Sequence, residues 1–517
     1  MTECDRIPAG RTFFSLLRAQ AERFGDRPAV VSADQATTYR QLFDAAARVA
    51  GGLRARGIGR GSRVGVLAEN RREWLEAVFG ATALGAVAVP LSTWSRPGEL
   101  DYLLGDAALD ALFAVAGFGG QDFAAALALL RPKHPRLHTV ITLGPEYDDF
   151  VASAEPLAVD RAQPDDDALI LYTSGSSARP KAVRLLHGSI IENGFNIGER
   201  MALSETDRVL LAPPLFWAYG AVNALPATFT HGAALVLQPR FEPGGWLDLI
   251  ERERCTAVYT LPSMTGAALR HPEFRRERTR SLRTGLMIGT AEEVRIAATE
   301  LGVADICNIY GATETYGNCA VTPAGWPLDR RMLSQGPPLP GMKIRIVNPE
   351  SGRVLPANEP GAVEVAGHIT PGYCGASAEH NGASCTADGY FRTGDLAMLD
   401  ENGDFRFVAR GGDIIKRAGI NVSPTEVETL LLQHPAVAQA AVVGAPACEL
   451  GEAIVAFVVL GSGADATAAE LREHCRALAS SYKVPDRIEI CPALPVTETG
   501  KLFRRGLKEQ AVALMAG

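Results

Sequence analysis

The chain has 517 residues, 47% hydrophobic and 21% charged, with a formal net charge of −8. That length exceeds what a single hydrophobic core organises, so two or more domains are expected in a soluble globular protein. The acidic balance argues against nucleic acid or an anionic membrane surface as the main partner.

The first residues carry Cys4, Asp5 and Arg6 and no long apolar run, so no secretory signal is expected. Residues 11–23 place Phe14, Leu17 and Ala21 at helical spacing. Residues 29–31 and 38–39 predict a short hairpin, and residues 39–56 an amphipathic helix ended by Gly57. A strand over 61–67, a helix over 72–84 and a strand over 86–89, stopped by Pro90, come next. Residues 77–91 are the most apolar window; it is too short to span a bilayer and reads as a buried helix running into a strand. A helix over 99–104 and a strand over 111–115 follow. Strand and helix alternate, which predicts an α/β domain with a largely parallel sheet. The pattern continues with strands over 209–212, 234–237 and 257–261 and a helix over 245–254.

Beyond about residue 340, short strands over 343–347, 361–365 and 404–408 are separated by Gly, Pro, Asn and Asp turns. This predicts a β-rich subdomain over about 340–409. Two glycines inside Ala409-Arg-Gly-Gly-Asp413 mark a hinge. A small α+β domain is expected after it, with a helix over 424–432, strands over 437–443 and 453–460, and a helix over 468–478. Thr467 and Glu470 form a capping box for that last helix. The expected division is a large domain over 1–409 and a small mobile one over 410–517. Nine cysteines run from Cys4 to Cys491 without a CxxC pair, which fits a reducing cytoplasm and no structural zinc.

The most informative stretch is Tyr172-Thr-Ser-Gly-Ser-Ser-Ala-Arg-Pro-Lys181, which follows the apolar residues 168–172. Strand, small polar loop, then cation is how a backbone cradles phosphate: N–H groups and hydroxyls converge and a lysine adds charge. No Gly-Lys-Ser/Thr closes it, so it is not a Walker loop. Four further stretches occur in order: Asn308-Ile-Tyr-Gly-Ala-Thr-Glu314, Tyr390-Phe-Arg-Thr-Gly-Asp-Leu396, Arg410-Gly-Gly-Asp-Ile-Ile-Lys416 with Gly419, and Thr497-Glu-Thr-Gly-Lys501. Together the five resemble the acyl-adenylate-forming superfamily of acyl-CoA synthetases, peptide-synthetase adenylation domains and beetle luciferases, over nearly the whole chain.

The resemblance implies that Thr173, Ser174, Gly175, Ser176, Ser177 and Lys181 wrap the β- and γ-phosphates of ATP. It implies that Tyr310 stacks on adenine beside Gly311, that Thr313 bonds the α-phosphate and that Glu314 holds Mg²⁺, a cation that prefers oxygen ligands. Asp395 would accept the ribose hydroxyls next to Arg410, and Lys501 would be the mobile lysine of the small domain. In the family the small domain rotates between two half-reactions. Gly412 stands at the pivot, where Asp or Lys is common, and Lys416 and Gly419 belong to the face that serves the thiol.

The resemblance also places an acyl pocket at Trp217, Tyr219, Asn223, Gly289, Thr290, Ala312, Tyr316 and Gly317. Many relatives carry His where Trp217 stands. No Asp lies between Phe216 and Asn223 to pair an α-amine, and a buried ammonium without a partner is costly, so α-amino acids are not expected. The mixture of aromatic and small residues suits an aromatic or short-to-medium-chain acid. Ala178, Ala182, Ile288 and Ala409 replace family glycines. The two in the phosphate stretch are expected to stiffen it, and Ile288 to narrow the acyl end. With no carrier segment after Lys501, CoA is the expected acceptor, and a carrier protein's phosphopantetheine is the alternative. A monomer or a homodimer fits equally.

Overall fold

A computed structural model of the chain describes residues 10–32, 35–173, 180–410, 415–422, 424–448, 450–461, 463–495, 502 and 504–516. The chain divides into two compact units. The larger takes Met1–Thr93, Leu104–Tyr172 and Ala182–Ala409; the smaller takes Trp94–Leu103, Thr173–Lys181 and Arg410–Gly517.

Among the described residues, three large sheets and a two-stranded ribbon, Gly117–Phe118 with Gln121–Asp122, build the larger unit. In the eight-stranded sheet the order is Ala320–Val321, Asp305–Tyr310, Thr284–Met287, Ala257–Tyr259, Arg208–Leu211, Ala234–Leu237, Pro28–Ser32, Gln35–Thr38. Its interior pairs are parallel and both edge pairs antiparallel, the second being the hairpin expected at 29–39. The seven-stranded sheet runs Tyr373–Cys374, Lys181–Leu186, Asp167–Thr173, Val87–Leu91, Arg63–Leu67, Ala111–Ala114, Thr139–Thr142. Strands such as Val87–Leu91, Ala234–Leu237 and Thr284–Met287 are buried at every position, as parallel strands covered on both faces must be. Helices Phe13–Phe24 and Tyr39–Ala55 each begin with a threonine capping box, at Thr12 and Thr38. Phe13, Phe79, Phe229 and Tyr39 form an unbroken aromatic contact between helices, and the Tyr39 hydroxyl donates to the Ala233 carbonyl at 2.6 Å. The third sheet, in the order Lys343–Val347, Gly361–Ala366, Phe391–Leu399, Phe405–Arg410, is the β-rich region.

The smaller unit holds a five-stranded sheet, with Ile420–Val422, Ile415–Arg417, Gly451–Leu460 and Val437–Ala447 in order and Arg487–Ile490 parallel to Gly451–Leu460. Alternate residues of its strands feed two cores. Val442 and Ile454 pack with Val427, Leu431 and Leu471; Val443 and Val455 pack with Leu507 and Ala511. Helix Ala468–Leu478 starts with the expected box, where Thr467 Oγ1 bonds Glu470 Oε2 at 2.8 Å.

The α/β class, with a large N-terminal and a small C-terminal part, agrees with the sequence reading. Two local expectations do not. The strand expected to stop at Pro90 continues to Leu91. Pro90 pairs in register with Val66, and the contact with the strand on the other side is made upstream at Ala88, so the missing N–H interrupts no ladder there. Ala182, where the family has glycine, was expected to stiffen the phosphate loop. It lies instead in a strand, paired with Cys374, and its φ is not positive, so alanine fits without cost. Among the described residues no helix is long and apolar enough to cross a membrane.

Candidate active site

Ligands of open α/β sheets bind beyond the carboxyl ends of the strands. Arg208–Leu211, Ala257–Tyr259, Thr284–Met287 and Asp305–Tyr310 are parallel neighbours, so the residues that follow them gather at one edge. These are residues 212–217, Thr260, residues 288–290 and residues 311–317. Trp217 is half-buried there, Thr290 is exposed, and Ile288 is 47% exposed. Buried Asn308 ties two of the ends together, accepting the Gly289 N–H at 3.4 Å and donating to the Ser334 carbonyl at 3.2 Å.

The three large sheets of the larger unit are linked around the turn after Tyr310. The Tyr310 hydroxyl donates to Asp395 Oδ2 at 2.7 Å, which joins the eight-stranded sheet to the four-stranded one. Its ring stacks on Phe405 at 4.2 Å and 22°, with Phe407 at 6.0 Å. Burial, then the Asp395 charge, holds the Tyr310 phenol far above its ordinary range, so it stays a donor. Glu314 is half-buried and accepts the Tyr373 hydroxyl at 3.0 Å. Thr370 donates its N–H to the Glu314 carbonyl at 2.7 Å and its hydroxyl to the Arg184 carbonyl at 2.7 Å. Tyr373 and Arg184 belong to the seven-stranded sheet, whose edge therefore braces Glu314. Phe405, Tyr373 and Thr370 carry no motif, and nothing in the sequence marks them.

Gly311 is essential to this turn. A Cβ there would sit 2.2 Å from the Gly317 carbonyl oxygen and 2.4 Å from Asn318 Cα, both backbone atoms that cannot yield. Gly311→Ala is expected to cost about 1–3 kcal/mol of strain and to misplace Thr313 and Glu314. Equilibrium unfolding together with ATP–pyrophosphate exchange measures both effects, and wild-type exchange in the variant would show the turn to be tolerant.

The expected site residues differ in exposure. Gly311 is exposed, and Ala312, Thr313, Gly317 and Gly289 are half-buried. Tyr219, Asn223 and Tyr316 are buried, and their polar atoms bond within the core. Tyr219 donates to the Leu286 carbonyl at 2.7 Å. Asn223 is fully buried and accepts the Tyr259 hydroxyl at 2.9 Å. Tyr316 is fully buried, and its hydroxyl accepts the Leu186 N–H at 3.1 Å. Asn193 clasps the same turn, donating to the carbonyls of Tyr316 at 3.0 Å and Asn318 at 2.9 Å. Thr290 is the N-cap of Ala291–Ile296, in a capping box with Glu293. The Thr-Ala-Glu-Glu pattern carries that signal, so the cap could have been read from sequence.

Of the phosphate stretch, Ser174, Gly175, Ser176, Ser177 and Ala178 lie outside the described residues. Thr173 ends one strand and Lys181 begins the next. At the start of the stretch, Tyr172 donates to Asp106 Oδ2 at 2.7 Å, and Asp106 Oδ1 accepts the Ala376 N–H at 2.7 Å. The Arg410 side chain, Gly412 and Lys501 also lie outside the described residues. Lys416 and Gly419 are exposed on a tight hairpin. Ala418 and Gly419 have φ of 49° and 81°, the type I′ geometry that suits glycine at its second position.

Among the described residues no group of three His, Cys, Asp or Glu could hold a metal. Glu314 offers a single oriented carboxylate. That donor set fits Mg²⁺, which keeps several waters and is bound through one or two carboxylates together with substrate phosphates.

Comparison with known proteins agrees with this geometry. The sequence profile of the AMP-binding enzyme family matches residues 17–374, and that of the AMP-binding enzyme C-terminal domain matches residues 426–501. A putative acyl-CoA synthetase of Bacillus subtilis (strain 168) is 31% identical over 536 residues, covering 97% of each chain. A feruloyl-CoA synthase of an Amycolatopsis species is 33% identical over 483 residues, 91% of this chain and 93% of its own. Among solved structures, an o-succinylbenzoate CoA synthetase from Bacillus subtilis superimposes with a TM-score of 0.83 at 28% identity, covering 96% of this chain and 98% of that one. The chain belongs to the AMP-binding enzyme family and is an enzyme of the acyl-CoA ligase type.

Proposed function

We propose that the protein joins a carboxylic acid to a thiol in two steps. The carboxylate attacks the α-phosphorus of ATP, forming acyl-AMP and releasing pyrophosphate. The thiol of CoA then attacks the acyl carbon, forming the thioester and releasing AMP. The observation that carries this reading is the turn 310–317, where Tyr310, Asp395 and Glu314 are fixed by three sheets beyond the carboxyl ends of parallel strands.

In this reading Thr173, Ser174, Gly175, Ser176, Ser177 and Lys181 hold the leaving pyrophosphate, and Thr313 contacts the α-phosphate. Phe405 covers one face of Tyr310, so adenine uses the other. Asp395, oriented by the Tyr310 hydroxyl, accepts the ribose with Arg410 beside it. Glu314, held by Tyr373, is the Mg²⁺ ligand. When bound, Mg²⁺ supplies charge that offsets the phosphates. Lys501 comes from the small domain for the first step and withdraws for the second as the chain pivots at Gly412. Lys416 and Gly419 then serve the thiol.

The acid is aromatic or of short-to-medium chain. Trp217, Ile288, Gly289, Ala312 and Gly317 present mixed aromatic and small surface, with Tyr219, Asn223 and Tyr316 as the layer behind. The names of two relatives, a feruloyl-CoA synthase and an o-succinylbenzoate CoA synthetase, support the aromatic arm. Pyrophosphate release with benzoate, ferulate, butanoate, octanoate and palmitate tests the class. The first four are expected to exceed palmitate by about 10-fold or more, since each excluded methylene is worth up to about 1–3 kcal/mol. Palmitate as the best substrate refutes it. Offering CoA against a phosphopantetheinylated carrier protein decides the acceptor, and preference for the carrier overturns the CoA assignment.

A further inference from the structure

The smaller unit contains a buried ion cluster for which the two-step reaction has so far no use. Lys483 Nζ donates to Glu99 Oε1 and to Glu426 Oε1, both at 2.6 Å, and its side chain is 6% exposed. The second oxygen of Glu99 accepts the Ser480 hydroxyl and the Arg96 N–H, each at 2.9 Å. Ser480 also bonds the Trp94 carbonyl, Arg96 Nε donates to the Ala479 carbonyl at 3.4 Å, and the Trp94 ring meets Tyr482 edge-on at 5.4 Å. Glu99 and Lys483 are 384 residues apart in sequence. Apart from the Arg96 N–H bond, which orients Glu99 from within its own segment, each of these contacts joins the segment Trp94–Leu103 or Glu426 to residues 479–483.

The same short turn holds the hairpin that carries Lys416 and Gly419. Arg417 donates to the carbonyls of Ser481 at 3.2 Å and Tyr482 at 2.9 Å. Its other nitrogen pairs with Asp486, which accepts the Ile454 N–H at 2.8 Å. One side of the turn therefore grips the hairpin and the other grips Glu99. A desolvated ammonium between two carboxylates is sensitive to geometry: it is satisfied in one arrangement and costly in others. Such a cluster behaves as a catch, not as a soft contact.

We propose that Glu99 and Lys483 are positioning residues for the thiol step, clamping Trp94–Leu103 to the 480–483 turn so that the hairpin is held for thioester formation. The clamp rests on the reading of Lys416 and Gly419 as the thiol face. Glu99→Gln removes one carboxylate and leaves Lys483 paired with Glu426, so the small unit keeps its core. With the best acid of the panel above, transfer of preformed acyl-AMP to CoA is expected to fall about 10-fold, while pyrophosphate release in the first step changes less than about 2-fold. Glu99→Asp is expected to recover part of the loss. Hydrogen–deuterium exchange over residues 94–99 and 480–483 is expected to rise in the Gln variant. Equal loss in both steps, or unchanged exchange, overturns the clamp. A wild-type enzyme that makes acyl-AMP but passes it to no CoA defeats the thiol reading instead, and the exchange difference still decides the clamp.

Discussion

Replacing Lys501 with Ala is expected to slow acyl-AMP formation by on the order of 10²–10³, with ATP binding largely intact. The first step brings a carboxylate up to a polyphosphate, and negative charge spreads over the α-phosphoryl oxygens as the bond to pyrophosphate loosens. A positioned ammonium is worth most at that moment and little in the ground state, so the loss falls on rate and not on affinity. Lys181 is different: it closes the phosphate stretch as the first residue of a strand, and its loss is expected to weaken ATP binding as well. The measurement is pyrophosphate release under ATP saturation, with ATP affinity determined separately. Transfer of preformed acyl-AMP to CoA is the internal control and should survive, because in the proposed cycle Lys501 has withdrawn by then. Unchanged pyrophosphate release would falsify the assignment of Lys501.

The parts of this arrangement that could be read from sequence are those set by local periodicity and by short polar signatures. Parallel strands buried on both faces, such as Val87–Leu91 and Thr284–Met287, stand out as apolar runs between amphipathic helices. The Thr467–Glu470 box is a four-residue pattern and was readable for that reason. What was hidden is set by long-range contact. Nothing in Phe405 or Tyr373 announces that one covers Tyr310 and the other holds Glu314, because the partners lie 95 and 59 residues away (405 − 310 and 373 − 314). Tyr316 follows the Glu314 motif closely, yet it is fully buried and its hydroxyl accepts the distant Leu186 N–H. Adjacency to a motif does not reveal side-chain direction. Pro90 misled for the opposite reason: its local rule is sound, but the ladder it would break is made elsewhere.

Glu314→Gln is the second large effect. The substitution keeps size and shape, and the Gln oxygen can still accept the Tyr373 hydroxyl that now lies 3.0 Å from Glu314 Oε1. The turn itself should persist, since the Thr370 N–H bonds the backbone carbonyl of residue 314 and not its side chain. What disappears is one negative charge at the proposed phosphate site. If that charge holds Mg²⁺, acyl-AMP formation is expected to fall by on the order of 10²–10³ at fixed metal, several kcal/mol of lost charge stabilisation. The Mg²⁺ concentration giving half-maximal rate should rise, and the loss should shrink as Mg²⁺ is added. Tyr373→Phe removes only the orienting bond, worth about 0.5–1.5 kcal/mol, so it should lower the rate by no more than about 10-fold and move the Mg²⁺ midpoint in the same direction. This ordering separates two explanations of a dead Glu314 variant. A collapsed turn would lower thermal stability and leave the Mg²⁺ midpoint alone, as Gly311→Ala is expected to do through its clash with the Gly317 carbonyl. A lost metal ligand would move the midpoint and leave stability alone. An Mg²⁺ response in Glu314→Gln identical to wild type would remove Glu314 from the metal site, and with it the purpose of the Tyr373 bond that orients its carboxylate.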